Sequence, residues 1–144
     1  MIEEIVSGSP EETYRLGESI GRSLKGGELI LLKGGLGAGK TLLTKGILDA
    51  LEFDTDEVTS PSFALVNLYH AKFDVYHIDL WRIEPGTDAG AAVGLDEILE
   101  NEGAVVIVEW AERLRDTPHG TETIVVGIDG DGDAERHIVI ERNG

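Results

Sequence analysis

The chain has 144 residues, a formal net charge of −16 from 28 acidic and 12 basic residues, and no cysteine. This length allows one domain with a buried core and is too short for two full domains. Disulfides and thiolate zinc sites are excluded, and the acidity argues against wide direct contact with nucleic acid, which requires clustered lysine and arginine. The first residues do not resemble a signal peptide and no apolar stretch is long enough to span a bilayer, so we expect a cytoplasmic protein without membrane contact.

The first part of the chain is predicted to form a strand, a helix and a second strand. Residues 2–7 suit a short strand. The stretch "SPEE" at 9–12 predicts a helix start, with a Ser cap, Pro in the first helical position and Glu where a capping box requires it. Gly26 and Gly27 end this helix. Residues 28–33 form an apolar run of strand length.

The next stretch, "GGLGAGKT" at 34–41, fits the pattern G-x-x-x-x-G-K-[ST] of a phosphate-binding loop. Glycines let successive backbone N–H groups point inward, and the helix predicted over 41–51 adds its free N-terminal N–H groups and dipole. Lys40 is expected to reach the β- and γ-phosphates, and the Thr41 hydroxyl is expected to ligate Mg²⁺. The predicted nucleotide contacts in this segment are Gly35, Leu36, Gly37, Ala38, Gly39, Lys40, Thr41 and Leu42.

The remaining elements are predicted from their apolar patterns. They are two strands at 63–69 and 72–80 joined as a hairpin by "HA", a short helix at 95–100, a strand buried on both faces at 104–108, and a last antiparallel hairpin of 123–128 and 137–141. We therefore expect an α/β fold: a single P-loop NTPase-like domain over 1–144, with a mixed central sheet, flanking helices and a C-terminal β-hairpin.

A phosphate-binding loop needs an acidic partner near the metal. Glu109 ends the apolar run at 104–108, and Asp79 lies near the end of its strand in "VYHIDLWR". Each is a candidate, although a carboxylate at a strand end can also cap the following turn. The polar loop "VTSPSF" at 58–63 lies where nucleotide-sensing switch loops occur, but from spacing alone an ordinary loop is equally compatible.

Four segments taken together resemble the TsaE family, formerly called YjeE. They are "GGLGAGKT" (34–41), "TSPSF" (59–63), "YHIDLWR" (76–82) and "VEW" (108–110). The loop alone is shared with very many NTPases, whereas the four in this order are specific. Members of this family are small bacterial P-loop ATPases required to make threonylcarbamoyladenosine in tRNA.

The resemblance implies roles for single residues. Lys40 and Thr41 would bind phosphate and Mg²⁺, Asp79 would act in hydrolysis together with Lys40, and Glu109 would be the metal-side acid. Trp110 would lie near the nucleotide.

Thr59, Ser60 and Pro61 match the switch-like loop of the family. Two departures, Ser62 for Thr and Trp81 for Tyr, keep the chemical type.

The resemblance also implies cofactors and partners. The cofactors would be ATP and Mg²⁺, and the partner proteins would be TsaB and TsaD. TsaD transfers the threonylcarbamoyl group to adenosine 37 of tRNA, so tRNA would be met only through the complex. The ATPase is expected to be slow alone and activated by the partners.

Three other functions remain open at this stage. A small-molecule P-loop kinase usually has an Arg-rich lid, and the arginines here are few and scattered. A GTPase switch would carry an N-K-x-D stretch, which is not present. A pure interaction module with a vestigial loop would not need Lys40, Thr41, Asp79 and Glu109. A phosphorylated metabolite, a preference for GTP, or undetectable nucleotide binding would favour these functions respectively.

Overall fold

The structure is a computed structural model that describes residues 1–35, 37–54, 65–84, 86–116, 118 and 122–143. The described residues form seven strands: β1 (Ile2–Ser7), β2 (Leu29–Lys33), β3 (Val66–His70), β4 (Asp74–Asp79), β5 (Val105–Glu109), β6 (Thr123–Asp129) and β7 (Arg136–Asn143). The helices are α1 (Pro10–Ser23), α2 (Lys40–Ala50), α3 (Ala89–Val93) and α4 (Leu95–Leu99), with a 3₁₀ turn at Ala111–Arg113.

All seven strands form one mixed sheet in the order β1-β7-β6-β2-β5-β4-β3. The central strands β6, β2, β5 and β4 are parallel, while β7, β1 and β3 add antiparallel pairs at the two sides. The predicted single α/β domain, mixed sheet and C-terminal hairpin are therefore confirmed. Because the parallel strands all end at one edge, the residues that follow them meet there.

The helices cover the two faces of the sheet. Helices α1 and α2 pack on one face over Ile30 and Leu32 of β2, and α3 and α4 pack on the other over Leu29 and Leu31. Strand β2 is buried on both faces because its side chains alternate between these two cores. The loop that is predicted to bind phosphate leaves the end of this strand and is thus anchored to the buried centre of the sheet.

Helix α1 approaches α2 unusually closely because glycines face each other across the contact. A methyl group on Gly46 would lie 2.1 Å from the carbonyl oxygen of Tyr14, and one on Gly17 would lie 2.3 Å from that of Leu43. Such distances leave no room for any side chain. This packing fixes the position of α2, whose N-terminus forms the end of the loop.

Most element boundaries follow the sequence prediction. Ser9 caps α1 and accepts a hydrogen bond from the Glu12 N–H at 3.1 Å, as predicted, although the Glu12 carboxylate bonds to Gly8 and not to the cap residue. The β3–β4 link is the three residues 71–73 and not "HA", because His70 still pairs with Asp74.

Helix α3 was not predicted. Its sequence "AGAAV" has no apolar period, and it is set by Asp88, whose side chain caps its N-terminus, and by Gly94 at its C-terminus. No helix in the described parts of the chain is long and apolar enough to cross a bilayer.

Candidate functional site

The described residues of the loop between β2 and α2 have a backbone that would suit a bound phosphate. Gly39 precedes α2 with φ 109°, a conformation that favours glycine, and as the N-cap residue it has no side chain with which to cap the first turn of the helix. A methyl group on Gly34 would lie 2.4 Å from the Ile128 carbonyl oxygen. The first N–H groups of a helix have no partner within the helix, so those of α2 would suit an anion, and the helix dipole favours negative charge there.

Lys40 lies at the centre of this loop. Its side chain is buried, and its ammonium donates to the carbonyl of Gly35 at 3.0 Å and to that of Gly34. Its Nζ also lies 3.9 Å from the ring centroid of Trp110. Lys40 thus contacts the loop's own carbonyls and an aromatic face, which are the groups a phosphate would have to displace.

Burial lowers the pKa of the Lys40 ammonium below its usual value. The nearby carboxylates of Glu112, Glu109 and Asp79 raise it and offset part of that shift. The ammonium is therefore a poorly solvated charge that an anionic ligand would stabilise.

Two carboxylates face α2 from the ends of neighbouring parallel strands. Asp79 ends β4 and Glu109 ends β5, and the two residues are paired in the sheet register. Glu109 is buried, and its Oε1 accepts a hydrogen bond from the Thr41 hydroxyl at 3.2 Å. Asp79 is half-buried, and its Oδ1 accepts from the Trp81 backbone N–H at 2.9 Å. The sheet therefore places two acids beside the loop, and α2 places the Thr41 hydroxyl against one of them.

Trp110 follows Glu109 in a left-handed backbone conformation, with φ 59°. This conformation is rare for a bulky side chain, and such strain concentrates at functional sites. Its ring packs against that of Trp81 at a tilt of 37°, with 4.4 Å between the centroids, and Trp81 is 40% exposed. The two rings form an aromatic wall beside Lys40.

These groups surround one cavity of about 330 Å³. It is lined by Gly35, Gly37, Ala38, Gly39, Lys40, Thr41, Leu42, Leu65, Asp79, Trp81, Arg82, Glu109 and Trp110. A second cavity, of about 440 Å³, lies on the other side of the loop between the start of α1 and the β6–β7 turn. It shares Gly37, Ala38, Gly39 and Leu42 with the first, so the loop separates two adjoining spaces.

Known proteins are similar to this chain in sequence and in fold. A family model described as "Threonylcarbamoyl adenosine biosynthesis protein TsaE" matches residues 7–138. The chain belongs to the TsaE family. This family functions in threonylcarbamoyladenosine biosynthesis in tRNA.

Individual TsaE relatives match most of their length. The "tRNA threonylcarbamoyladenosine biosynthesis protein TsaE" of Treponema pallidum is 37% identical over 131 residues, which are 90% of this chain and 95% of that protein. The protein of the same name from Aquifex aeolicus is 42% identical over 115 residues, 78% of this chain and 80% of that one. The crystal structure of YdiB from Bacillus subtilis aligns with a TM-score of 0.74 and 31% identity, covering all of this chain and 87% of YdiB.

The structure brings most of the predicted site residues into the first cavity. Ten of them line it: Gly35, Gly37, Ala38, Gly39, Lys40, Thr41, Leu42, Asp79, Glu109 and Trp110. Leu36 and the switch-like residues Thr59, Ser60 and Pro61 lie outside the described residues. Arg82, which follows the strand, lines the same cavity. The roles of these residues remain predictions.

Two side chains that sequence reasoning missed hold the loop from outside. Arg136 donates from Nε to the Ala38 carbonyl at 3.0 Å and from Nη2 to the Gly37 carbonyl at 3.1 Å. Glu112 accepts from the Gly34 N–H at 3.2 Å. Because Arg136 engages the loop's carbonyls, it helps to leave the opposite, N–H side of the loop for a ligand. Nothing in the sequence signals these contacts, since they join distant segments.

A third residue that the sequence analysis did not single out lies in the core behind Glu109. His77 is fully buried on β4, and its Nε2 is hydrogen-bonded to Glu109 Oε2. The spacing His-x-Asp on a strand puts both side chains on one face, so this neighbour of Asp79 was detectable from the period of 2.

Proposed function

We propose that this chain binds ATP with Mg²⁺, hydrolyses it slowly by itself, and supports threonylcarbamoyl transfer to adenosine 37 of tRNA together with TsaB and TsaD. The observation that carries the proposal is the contact between Thr41 and Glu109 at the start of an uncapped helix. A hydroxyl, a carboxylate and a set of free N–H groups at one place are the parts a Mg²⁺–phosphate ligand requires. Membership of the TsaE family supplies the biological setting.

The phosphates would occupy the first cavity. The β-phosphate would take the N–H groups at the start of α2, where an anion is favoured by the dipole. Lys40 would exchange the carbonyls of Gly34 and Gly35 for phosphate oxygens. Trp110 would then lose its contact with the Lys40 ammonium, 3.9 Å from its ring.

The nucleoside would occupy the second cavity. This space adjoins the phosphate loop through Gly37 and Gly39 and is walled by Pro10, Thr13 and Arg136. Its volume of about 440 Å³ is in the range of small-ligand pockets, about 300–1,000 Å³. Arg136 would thus border both the base and the loop.

The side chains present fit Mg²⁺. Thr41 Oγ1 and Glu109 Oε1 are 3.2 Å apart. Oxygens on neighbouring corners of a Mg²⁺ octahedron are about 3.0 Å apart, given ligand distances of about 2.0–2.1 Å. Among the described residues no group of three or more His, Asp or Glu side chains is arranged to hold a metal. A nucleotide-bound Mg²⁺ does not need one, because phosphates and waters complete its shell.

Asp79 is the best candidate to orient the attacking water. It lies on the same rung as Glu109 and on the wall of the cavity, and its carboxylate is fixed by the Trp81 N–H. Bound Mg²⁺ would supply neutralisation of the charge on the β- and γ-phosphates.

Lys40 and Arg82 are the cationic residues among the described residues lining this cavity. An additional arginine supplied by another protein can add about 10³–10⁵ in rate to such reactions. A site with so few cations is suited to tight nucleotide binding and slow turnover until a partner completes it.

Reconstitution of the tRNA modification tests the proposal. Purified TsaB, TsaD, tRNA and the threonylcarbamoyl donor are combined with wild-type chain or with Lys40→Ala, and threonylcarbamoyladenosine is measured over several turnovers. We expect the wild-type chain to sustain product formation and Lys40→Ala to fail. Equal product with the two proteins would contradict the proposal, and an ATP-dependent phosphorylated metabolite would favour the kinase.

A further inference from the structure

His77 makes a buried contact with the proposed metal-side acid. It lies on β4 opposite Ile107 of β5, so it is the diagonal neighbour of Glu109 on the same face of the sheet. Its side chain is completely buried, and Nε2 bonds to Oε2 of Glu109. As the proposed metal-side acid, Glu109 would be an ionised carboxylate, which only accepts hydrogen bonds, so Nε2 would carry the proton and donate it.

The other ring nitrogen of His77 is unusual. Within the described part of the chain, Nδ1 is a buried side-chain atom without a hydrogen-bond partner. A buried unpaired nitrogen costs stability that an apolar side chain would not cost. The imidazole is therefore poorly explained as core packing, and among the described residues its polar contact is with Glu109.

The contact divides the two oxygens of Glu109 between two partners. Oε2 is held by His77, and Oε1 faces the Thr41 hydroxyl at 3.2 Å. A carboxylate held at one oxygen cannot rotate freely about its last bond, so the other oxygen keeps its direction. Without His77, Glu109 could turn toward the Lys40 ammonium, with which it already interacts electrostatically.

We infer that His77 is a positioning residue that aims Oε1 of Glu109 at the Mg²⁺ site. This inference rests on the proposed binding of Mg²⁺ and nucleotide. Loss of a residue that is hydrogen-bonded to a metal ligand typically weakens metal binding by about 10–100-fold.

Two substitutions separate the hydrogen bond from the mere presence of a polar side chain. In His77→Gln the amide N–H can reach the place of Nε2, whereas in the shorter His77→Asn it cannot. His70→Gln is the matched control, because His70 is exposed and pairs with Asp74 on the surface. Mn²⁺ replaces Mg²⁺ as the probe, and its binding to ADP-saturated protein is titrated by electron paramagnetic resonance.

We expect His77→Asn to weaken Mn²⁺ binding about 10–100-fold, while His77→Gln and His70→Gln stay within about threefold of wild type. ADP affinity measured in EDTA should be unchanged in all three. Mn²⁺ affinities of His77→Asn and His77→Gln that are equal to each other would overturn the inference. A wild-type protein that binds no ADP would overturn the proposed function itself, and this inference with it.

A measurement without nucleotide or metal gives an independent readout. Nitrogen-15 spectra of the wild-type imidazole should find the His77 proton on Nε2. A proton on Nδ1 would overturn the inference. If His77→Asn is too unstable to purify, the position of the His77 proton tests the inference by itself.

Discussion

Replacement of Gly46 by alanine tests whether the close α1–α2 contact positions the phosphate loop. Gly46 lies inside α2, where alanine would be favoured over glycine by about 1 kcal/mol if there were room. The added methyl would instead lie 2.1 Å from the Tyr14 carbonyl oxygen and 3.0 Å from the Glu18 backbone nitrogen. Both are backbone atoms and cannot rotate away.

The expected loss of stability follows from how far the added methyl group lies inside the shortest contact that Cβ atoms normally make. Real Cβ atoms essentially never approach closer than 3.0 Å, so the helices must separate by about 1 Å near Tyr14. Overpacking of this kind costs about 1–3 kcal/mol. For a chain near this length we expect the melting temperature to fall by about 2–12 °C, at about 2–4 °C per kcal/mol.

Separation of α1 and α2 should also weaken ADP binding. Helix α2 carries Lys40 and Thr41 at its start, so a displaced helix should bind ADP more weakly as well as melt earlier. Thermal unfolding and ADP calorimetry are measured on Gly46→Ala and on Gly103→Ala, where a methyl meets nothing within 4 Å. A Gly46→Ala protein as stable as the control, or more stable, would refute the packing argument.

Three further predictions concern the site. In Trp81→Phe, the fluorescence of Trp110 should change when ADP binds, because Lys40 leaves the ring; a flat titration at saturation would place Trp110 away from the nucleotide. Glu109→Ala should lose the Mg²⁺-dependence of ADP binding while keeping ADP affinity in EDTA, and an unchanged Mg²⁺ response would reduce Glu109 to a strand cap. Because burial lowers the pKa of Lys40, the unfolded chain binds more protons in the alkaline window between the folded and unfolded pKa values. The free energy of unfolding contributed by Lys40 should therefore rise with pH there, and urea unfolding of Lys40→Gln should lack that rise.

The parts of the site with local sequence signals were predictable. The loop glycines, Lys40 and Thr41 follow from one spacing, and Glu109 and Asp79 follow from the rule that parallel strands end at one edge. The apolar runs also predicted strands at the centre of the sheet, because a strand such as β5 that is buried on both faces needs an apolar side chain at nearly every position.

The contacts made by tertiary packing were not predictable in this way. Arg136 donates a hydrogen bond to the carbonyl of Ala38, which lies 98 residues earlier in the chain, and no local sequence pattern predicts such a contact. The glycines of the α1–α2 contact, Gly17 and Gly46, are unfavourable in helices, and only the position of the other helix explains them. Helix α3 is marked by its caps and not by a periodic apolar face, so a search for helical periodicity passes over it.

Phosphate release from ATP tests the central claim most directly. The purified chain is assayed with Mg²⁺, alone and with equimolar TsaB and TsaD, beside Lys40→Ala under the same conditions. We expect the wild-type chain to release phosphate slowly and the two partners to accelerate this release clearly. Lys40→Ala should release no phosphate, with or without the partners. No release by the wild-type chain under any condition, or rapid release that the partners leave unchanged, would contradict the account.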